Sequence, residues 1–176
     1  MILSLLFQVF SVVNAQDVKQ HSVALIPYPV TLVEGEGAFV FSEKTVVALE
    51  DNELEPIARD FVELFTEPAG FTPKLKVKSK KGEVYLMKDD SFQEEGYALE
   101  VTPEKIVVKA AGAKGAFYAL QTLRQLLPSD IEGNECKPDV IWKVPSVRVT
   151  DEPRFGYRGL MVDVARYFIT KEHLMR

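Results

Sequence analysis

The stretch that most constrains this chain is Tyr157-Arg158-Gly159-Leu160-Met161-Val162-Asp163-Val164, close to its C-terminal end. A run so nearly apolar suits a strand buried on both faces, the kind found in parallel sheets covered by helices on each side. Thr170 follows as a helix cap, with Lys171-Glu172-His173-Leu174 behind it. Strand then helix is half of a repeating βα unit, and the strand has no neighbours here to pair with. A (β/α)8 barrel takes about 250 residues, whereas the sequence has 176. Residues 151–176 therefore read as the truncated start of a second domain, preceded by a first one.

That first domain, over 22–150, reads as strands with two helices. Ile26-Pro27-Tyr28-Pro29 is a stiff extended lead-in, since each proline pushes its predecessor out of the helical region. Phe39 and Phe41, then Thr45 to Leu49, predict a short hairpin around Ser42-Glu43-Lys44. Leu54, Ile57, Ala58, Phe61, Val62 and Phe65 recur at helical spacing, and Pro68 and Gly70 stop that helix near Glu67. Leu75 to Lys78 and Glu83 to Met87 predict a second strand pair, turning at Ser79 to Gly82. Tyr97 to Val101 and Ile106 to Ala110 flank Thr102-Pro103-Glu104-Lys105, where proline sits at the turn position that favours its fixed φ. A helix from about Gly115 to Leu127 carries Phe117, Leu120, Leu123 or Arg124, and Leu127 on its stripe. Ile131 to Lys143 reads as a loop and Val144 to Thr150 as a short strand. Without regular βαβ alternation, this order predicts an α+β fold, an antiparallel sheet with two helices on one face.

Residues 1–15 read as a targeting segment. Ile2 to Val13 is apolar apart from Ser4, Gln8 and Ser11, and Val13-Asn14-Ala15 offers small residues for cleavage after Ala15. The usual lysine or arginine at the front is missing, and a buried helix or strand is the competing reading. A membrane span needs about 20 apolar residues, more than this run supplies. Export to a periplasm, envelope or medium is the expectation, and the single Cys136 needs no pairing in an oxidising compartment.

Composition removes several function classes. With 21 Lys and Arg against 26 Asp and Glu, the net charge is −5, and nucleic acid is not the expected partner. Lys76, Lys78, Lys80 and Lys81 form a basic cluster, but they alternate with apolar residues, so a solvated strand face and turn is the simpler account. One cysteine and two histidines leave little for a metal site, and no cofactor is expected. Gly112-Ala113-Lys114-Gly115 lacks the ending of a phosphate-binding loop, and neither His21 nor His173 has a G-x-S-x-G partner. Asp89-Asp90 lacks the spaced ligands of a calcium loop.

Arg158 stands apart, because an arginine inside an apolar strand is costly to bury without partners. One reading is a structural ion pair, with Asp163 or with a residue outside this sequence. The other is a fork donating to substrate hydroxyls or carboxylates in a cavity. Composition leaves the two even.

Three segments together resemble glycoside hydrolase family 20, the β-N-acetylhexosaminidases. They are Ile26-Pro27-Tyr28-Pro29, then Glu95 to Pro103 continuing through Ala110 and Gly115 to Leu123, then Asp151-Glu152-Pro153-Arg154-Phe155 with Tyr157 to Phe168. The resemblance covers essentially the whole chain after the targeting segment. It implies an accessory α+β domain over 22–150 and the first strand of a catalytic barrel over 151–176. It also implies that Arg158 binds ring hydroxyls of the terminal sugar, with Asp163 and Arg166 supporting the site through local ion pairing. A histidine is common in the family where Tyr167 stands, so no histidine contact carries over.

The resemblance further implies removal of terminal N-acetylglucosamine or N-acetylgalactosamine from glycans, with retention. In such enzymes the substrate's own acetamido oxygen attacks the anomeric carbon, an exception to the two-carboxylate scheme. An aspartate orients the acetamido group and the adjacent glutamate protonates the leaving oxygen. The one Asp-Glu dipeptide here, Asp151-Glu152, belongs to the junction segment instead. The catalytic pair is expected beyond Arg176, with the remainder of the barrel, so no catalytic residue is assigned within this chain and the chain alone is expected to be inactive. The competing expectation is a non-catalytic, glycan-contacting module. That role would call for clustered surface aromatics, whereas Trp142, the single tryptophan, is expected to pack at the domain junction.

Overall fold

A computed structural model describes residues 23–175. The expected targeting segment, residues 1–15, lies outside them. Seven strands form one sheet: β1 (Thr31–Val40), β2 (Val46–Leu49), β3 (Lys74–Val77), β4 (Val84–Lys88), β5 (Tyr97–Val101), β6 (Ile106–Ala110) and β7 (Lys143–Asp151). Their spatial order is β1-β7-β5-β6-β4-β2-β3. The helices are α1 (Glu55–Glu63), α2 (Thr66–Ala69), α3 (Ala113–Leu126) and α4 (Lys171–Leu174).

The hairpin from Tyr97 to Ala110 forms as its alternation predicts, with Tyr97 opposite Ala110 and Val101 opposite Ile106. Its turn closes where the Thr102 amide donates to the Lys105 carbonyl at 2.9 Å. The rest of the sheet corrects the antiparallel expectation. β1, β7, β5 and β6 are antiparallel neighbours, but β6, β4, β2 and β3 run parallel, so the sheet is mixed. No hairpin forms around Ser42-Glu43-Lys44, because β1 pairs with β7 while β2 pairs with β3 and β4.

The second expected pair also separates, since β3 and β4 flank β2 on opposite sides. Two parallel strands need a crossover, and the connection from Lys78 to Glu83 supplies it by passing over β2. The Ser79 amide donates to the Leu49 carbonyl at 3.0 Å. Gly82 lies so close to β2 that a Cβ there would sit 2.6 Å from the Val46 carbonyl oxygen and 2.8 Å from Ala48 Cβ. Lys78 takes the left-handed conformation, φ 55°, at the start of this connection.

Both main helices are crossovers too. α1 and α2 lie between parallel β2 and β3, and α3 links β6 to β7, which are parallel to each other across β5. Val47, Leu49, Val84, Leu86, Leu99, Ile106 and Val108 are buried on the face that meets Ala58, Phe61 and Phe65 from the first helical segment and Ala119, Leu120 and Leu123 from α3. Gly70, at φ 70°, ends α2 in the left-handed conformation that favours glycine.

Trp142 is not at the domain junction. It lies 4% exposed, 6.2 Å from the Phe65 ring, in an aromatic cluster where Phe41 meets Phe39 at 5.0 Å and Phe65 at 4.8 Å. β7 separates it from the junction, since Trp142 precedes the first residue of that strand and Asp151 is its last.

Tyr157 to Val164 is not a strand. The segment runs without regular structure, and Tyr157, Leu160 and Met161 are about nine-tenths exposed. A strand is a property of a pair, and among the described residues none lies alongside to complete a ladder. The cap beyond it forms as expected, with Thr170 Oγ1 accepting from the His173 amide at 3.3 Å to start α4.

Candidate functional site

The chemistry-bearing residues converge where β7 ends. There the lead-in segment runs beside α3, and the chain turns out of the sheet at Asp151. The Gln125 carboxamide on α3 accepts from the Ile26 amide and donates to the Ile26 carbonyl, both at 3.0 Å. Asp151 Oδ1 accepts from the Val30 amide at 3.1 Å. Two side chains thus fix the lead-in against the sheet end.

Beneath them, Tyr97 is 2% exposed and its hydroxyl meets the Thr122 hydroxyl at 2.5 Å. Burial, partly opposed by the Thr122 bond and reinforced by the Asp151 carboxylate, pushes its phenol up to about 12. Tyr97 is therefore a neutral hydrogen-bonding group here.

Between these parts opens a cleft of about 600 Å³, whose walls include Tyr28, Phe117, Tyr118, Gln121, Phe155 and Arg158. Phe117 and Tyr118 meet edge to face, with ring centroids 5.5 Å apart. Phe117 is 44% exposed, which corrects its expected place on the buried stripe. Ala116, Ala119, Leu120, Leu123 and Leu126 form that stripe instead, and leave Phe117, Tyr118, Gln121 and Gln125 on the cleft side.

Arg158 forms one wall. Its Nη1 donates to the Phe155 carbonyl at 2.6 Å, and its Nη2 donates to Glu95 Oε2 at 2.8 Å and to the Tyr118 hydroxyl at 3.0 Å. The guanidinium also lies 5.7 Å from the Tyr118 ring centroid. Glu95 first, then Tyr118, hold its pKa above the ordinary arginine value. The ion-pair partner is therefore Glu95 rather than Asp163. Asp163 Oδ1 instead accepts from the Ala165 amide at 2.8 Å, closing a local turn, and Arg166 is exposed. The structure brings Arg158 to the cleft and leaves Asp163 and Arg166 outside its lining.

Composition and spacing did not single out Glu95, the partner of Arg158, or the cleft residues Tyr118, Gln121 and Gln125. Glu95 and Tyr118 fall inside the family-like segments, yet their roles depend on where α3 lies relative to β7. Among the described residues, no three His, Cys, Asp or Glu side chains gather as a metal-binding group.

The model of "Glycosyl hydrolase family 20, domain 2" matches residues 22–152. The chain belongs to glycoside hydrolase family 20. Within family 20 it covers the N-terminal accessory region. A β-hexosaminidase of Porphyromonas gingivalis is 33% identical over 158 residues, spanning 86% of this chain and 20% of that protein. A β-N-acetylhexosaminidase of Cellulomonas fimi is 31% identical over 160 residues, spanning 86% of this chain and 30% of that protein. The chain therefore spans less than a third of either family 20 relative. The structure of Streptomyces plicatus N-acetyl-β-hexosaminidase in complex with Thio-NAglucal has a TM-score of 0.73 at 27% identity, covering 80% of this chain and 28% of that one.

Proposed function

We propose that this chain is the front portion of an exported β-N-acetylhexosaminidase that removes terminal N-acetylglucosamine or N-acetylgalactosamine from glycans with retention. The observation that carries the reading is the match over 22–152 to a domain of enzymes so named. In this reading, residues 22–150 are the accessory domain and 151–176 lead into the catalytic barrel. Arg158 then donates to hydroxyls of the terminal sugar, as its five fixed N–H donors allow. Asp163 and Arg166 support that position once neighbouring barrel strands surround them.

The chemical step requires an acetamido-orienting aspartate and an adjacent glutamate acid in a sheltered pocket that raises the glutamate's pKa. Asp151-Glu152 does not serve, because Asp151 holds the Val30 amide beside the Tyr97 phenol. Catalysis is therefore supplied by residues outside this sequence, and the isolated chain is inactive. The exposed Phe117, Tyr28 and Phe155 form the apolar seat against which the catalytic domain rests.

One observation favours a second reading, a glycan-contacting module. Clustered surface aromatics beside polar side chains are what sugar stacking requires, and the cleft has Tyr28, Phe117, Tyr118 and Phe155 near Gln121. The intact mass of the native product, captured with an antibody to residues 22–150, separates the two. A species far heavier than 19.8 kDa supports the enzyme. A native species no heavier than this chain supports the module.

A further inference from the structure

The far edge of the sheet carries an unusual charge. β3 is an edge strand, paired only with β2. Leu75 and Val77 pack towards the core, so alternation directs Lys74 and Lys76 to the face away from the helices. The crossover after β3 adds Lys78, Lys80 and Lys81, and the β5–β6 turn brings Lys105 to the same corner. A shallow groove of about 340 Å³ is lined there by Lys76, Lys81 and Lys105 with Glu83 and Glu104.

The lysines outnumber the local carboxylates, and the carboxylates are largely engaged. Glu83 Oε2 accepts from the Val46 amide at 2.9 Å, and Glu50 pairs with Lys80 at 2.6 Å. Lys74, Lys76, Lys78, Lys81 and Lys105 form no ion pair among the described residues. A chain of net charge −5 thus concentrates unpaired positive charge on one edge. Protection of an edge strand needs only a lysine or two on that strand. It does not account for Lys105, which arrives from the β5–β6 turn with its ammonium 5.1 Å from the Tyr85 ring centroid.

We propose that the groove between the β3 edge and the β5–β6 turn, lined by Lys76, Lys81 and Lys105, is a docking surface for a sulfated polysaccharide. Stable membrane anchoring takes an apolar insertion or lipid besides a basic patch. Among the described residues, no exposed large apolar side chain lies within 74–83 or at 105. Single-stranded nucleic acid would need open aromatic rings, whereas Tyr85 is 8% exposed. The choice of a glycan among polyanions rests on the hexosaminidase reading, while the cationic edge itself does not. The surface lies across the sheet from the β7 exit, so it would hold a polymer without occupying the cleft.

The test titrates the 176-residue chain with fluorescent heparin and with desulfated, N-acetylated heparin. At low ionic strength the chain binds the sulfated probe. K76Q/K81Q/K105Q weakens binding about tenfold and flattens its salt dependence, because fewer counterions are released. K114Q/K137Q/K171Q, at other exposed sites, leaves binding unchanged. Equal loss in both triple variants, equal affinity for both probes, or no binding to the sulfated probe overturns the proposal. Tighter binding to phosphatidylserine vesicles or to a poly(dT) strand than to heparin overturns the assignment of a glycan while leaving the hexosaminidase reading to its own test.

Discussion

Gln125 holds Ile26 from both sides of its backbone, accepting from its amide and donating to its carbonyl at 3.0 Å across 99 positions of sequence. A carboxamide can clasp one residue's N–H and C=O in this way because it offers an acceptor beside a donor. Removing it frees the lead-in locally. Gln125→Leu should raise amide exchange at Ile26 and Val30 roughly tenfold and cost about 1 kcal/mol in urea denaturation. Unchanged exchange at both amides would show that the proline-rich segment holds its own position.

Gly115 tests whether packing outweighs helix propensity. Alanine in a helix is favoured over glycine by about 1 kcal/mol. Here a Cβ would stand 2.3 Å from the Gly96 carbonyl oxygen and 3.0 Å from Ala110 Cβ. Gly115→Ala should therefore destabilise by on the order of 2–3 kcal/mol, as α3 is forced off β6. A stabilised variant in thermal or urea unfolding would mean that α3 moves away freely.

Alkaline pH should weaken the fold through tyrosine. Burial holds the Tyr97 phenol protonated up to about 12, whereas an unfolded tyrosine ionises near 10. The group's contribution is complete below pH 10 and is lost as pH rises from about 10 to about 12, on the order of 2 kcal/mol. Tyr85, held up to about 12 first by burial and then by Glu50, acts in the same direction. Tyr97→Phe should flatten the decline of stability over that window and Tyr85→Phe should flatten it further. An unaltered slope in both variants would contradict this account.

The exit segment should be separable from the sheet. β7 runs to Asp151, whose carboxylate holds the Val30 amide, so the sheet ends at this residue. A chain ending at Pro153 loses the exposed Tyr157, Leu160, Met161, Tyr167 and Phe168. It should stay soluble at higher concentration with an unchanged unfolding midpoint. Lower solubility or a lower midpoint would show that the exit segment supports the sheet.

Local pattern carried much of this fold. Alternation found the β5–β6 hairpin and helical spacing found α1 and α3; Gly70 ends the first helical segment, but Pro68, expected to stop it near Glu67, lies inside α2, and α1 already ends at Glu63. Pairing was less legible, because parallel partners are set by crossovers. The cues were faint: Gly82, needed for close passage over β2, and two helices each joining parallel strands across or beside a third. The stretch from Tyr157 to Val164 reads as a strand by composition, but composition cannot supply a neighbour. At the cleft, Arg158 was visible as a costly charge. Its partner Glu95 and the cleft residues Tyr118, Gln121 and Gln125 were not, since their meaning comes from α3 lying beside the β7 exit.

The most direct test of the central claim is turnover of a chromogenic N-acetyl-β-glucosaminide by the purified 176-residue chain, run beside its Glu152→Gln variant. The account predicts no release above the uncatalysed rate from either protein, because the acetamido-orienting aspartate and the glutamate acid are supplied from outside this sequence. Hydrolysis by the unsubstituted chain that disappears in the variant would contradict it and would make Asp151-Glu152 the catalytic pair.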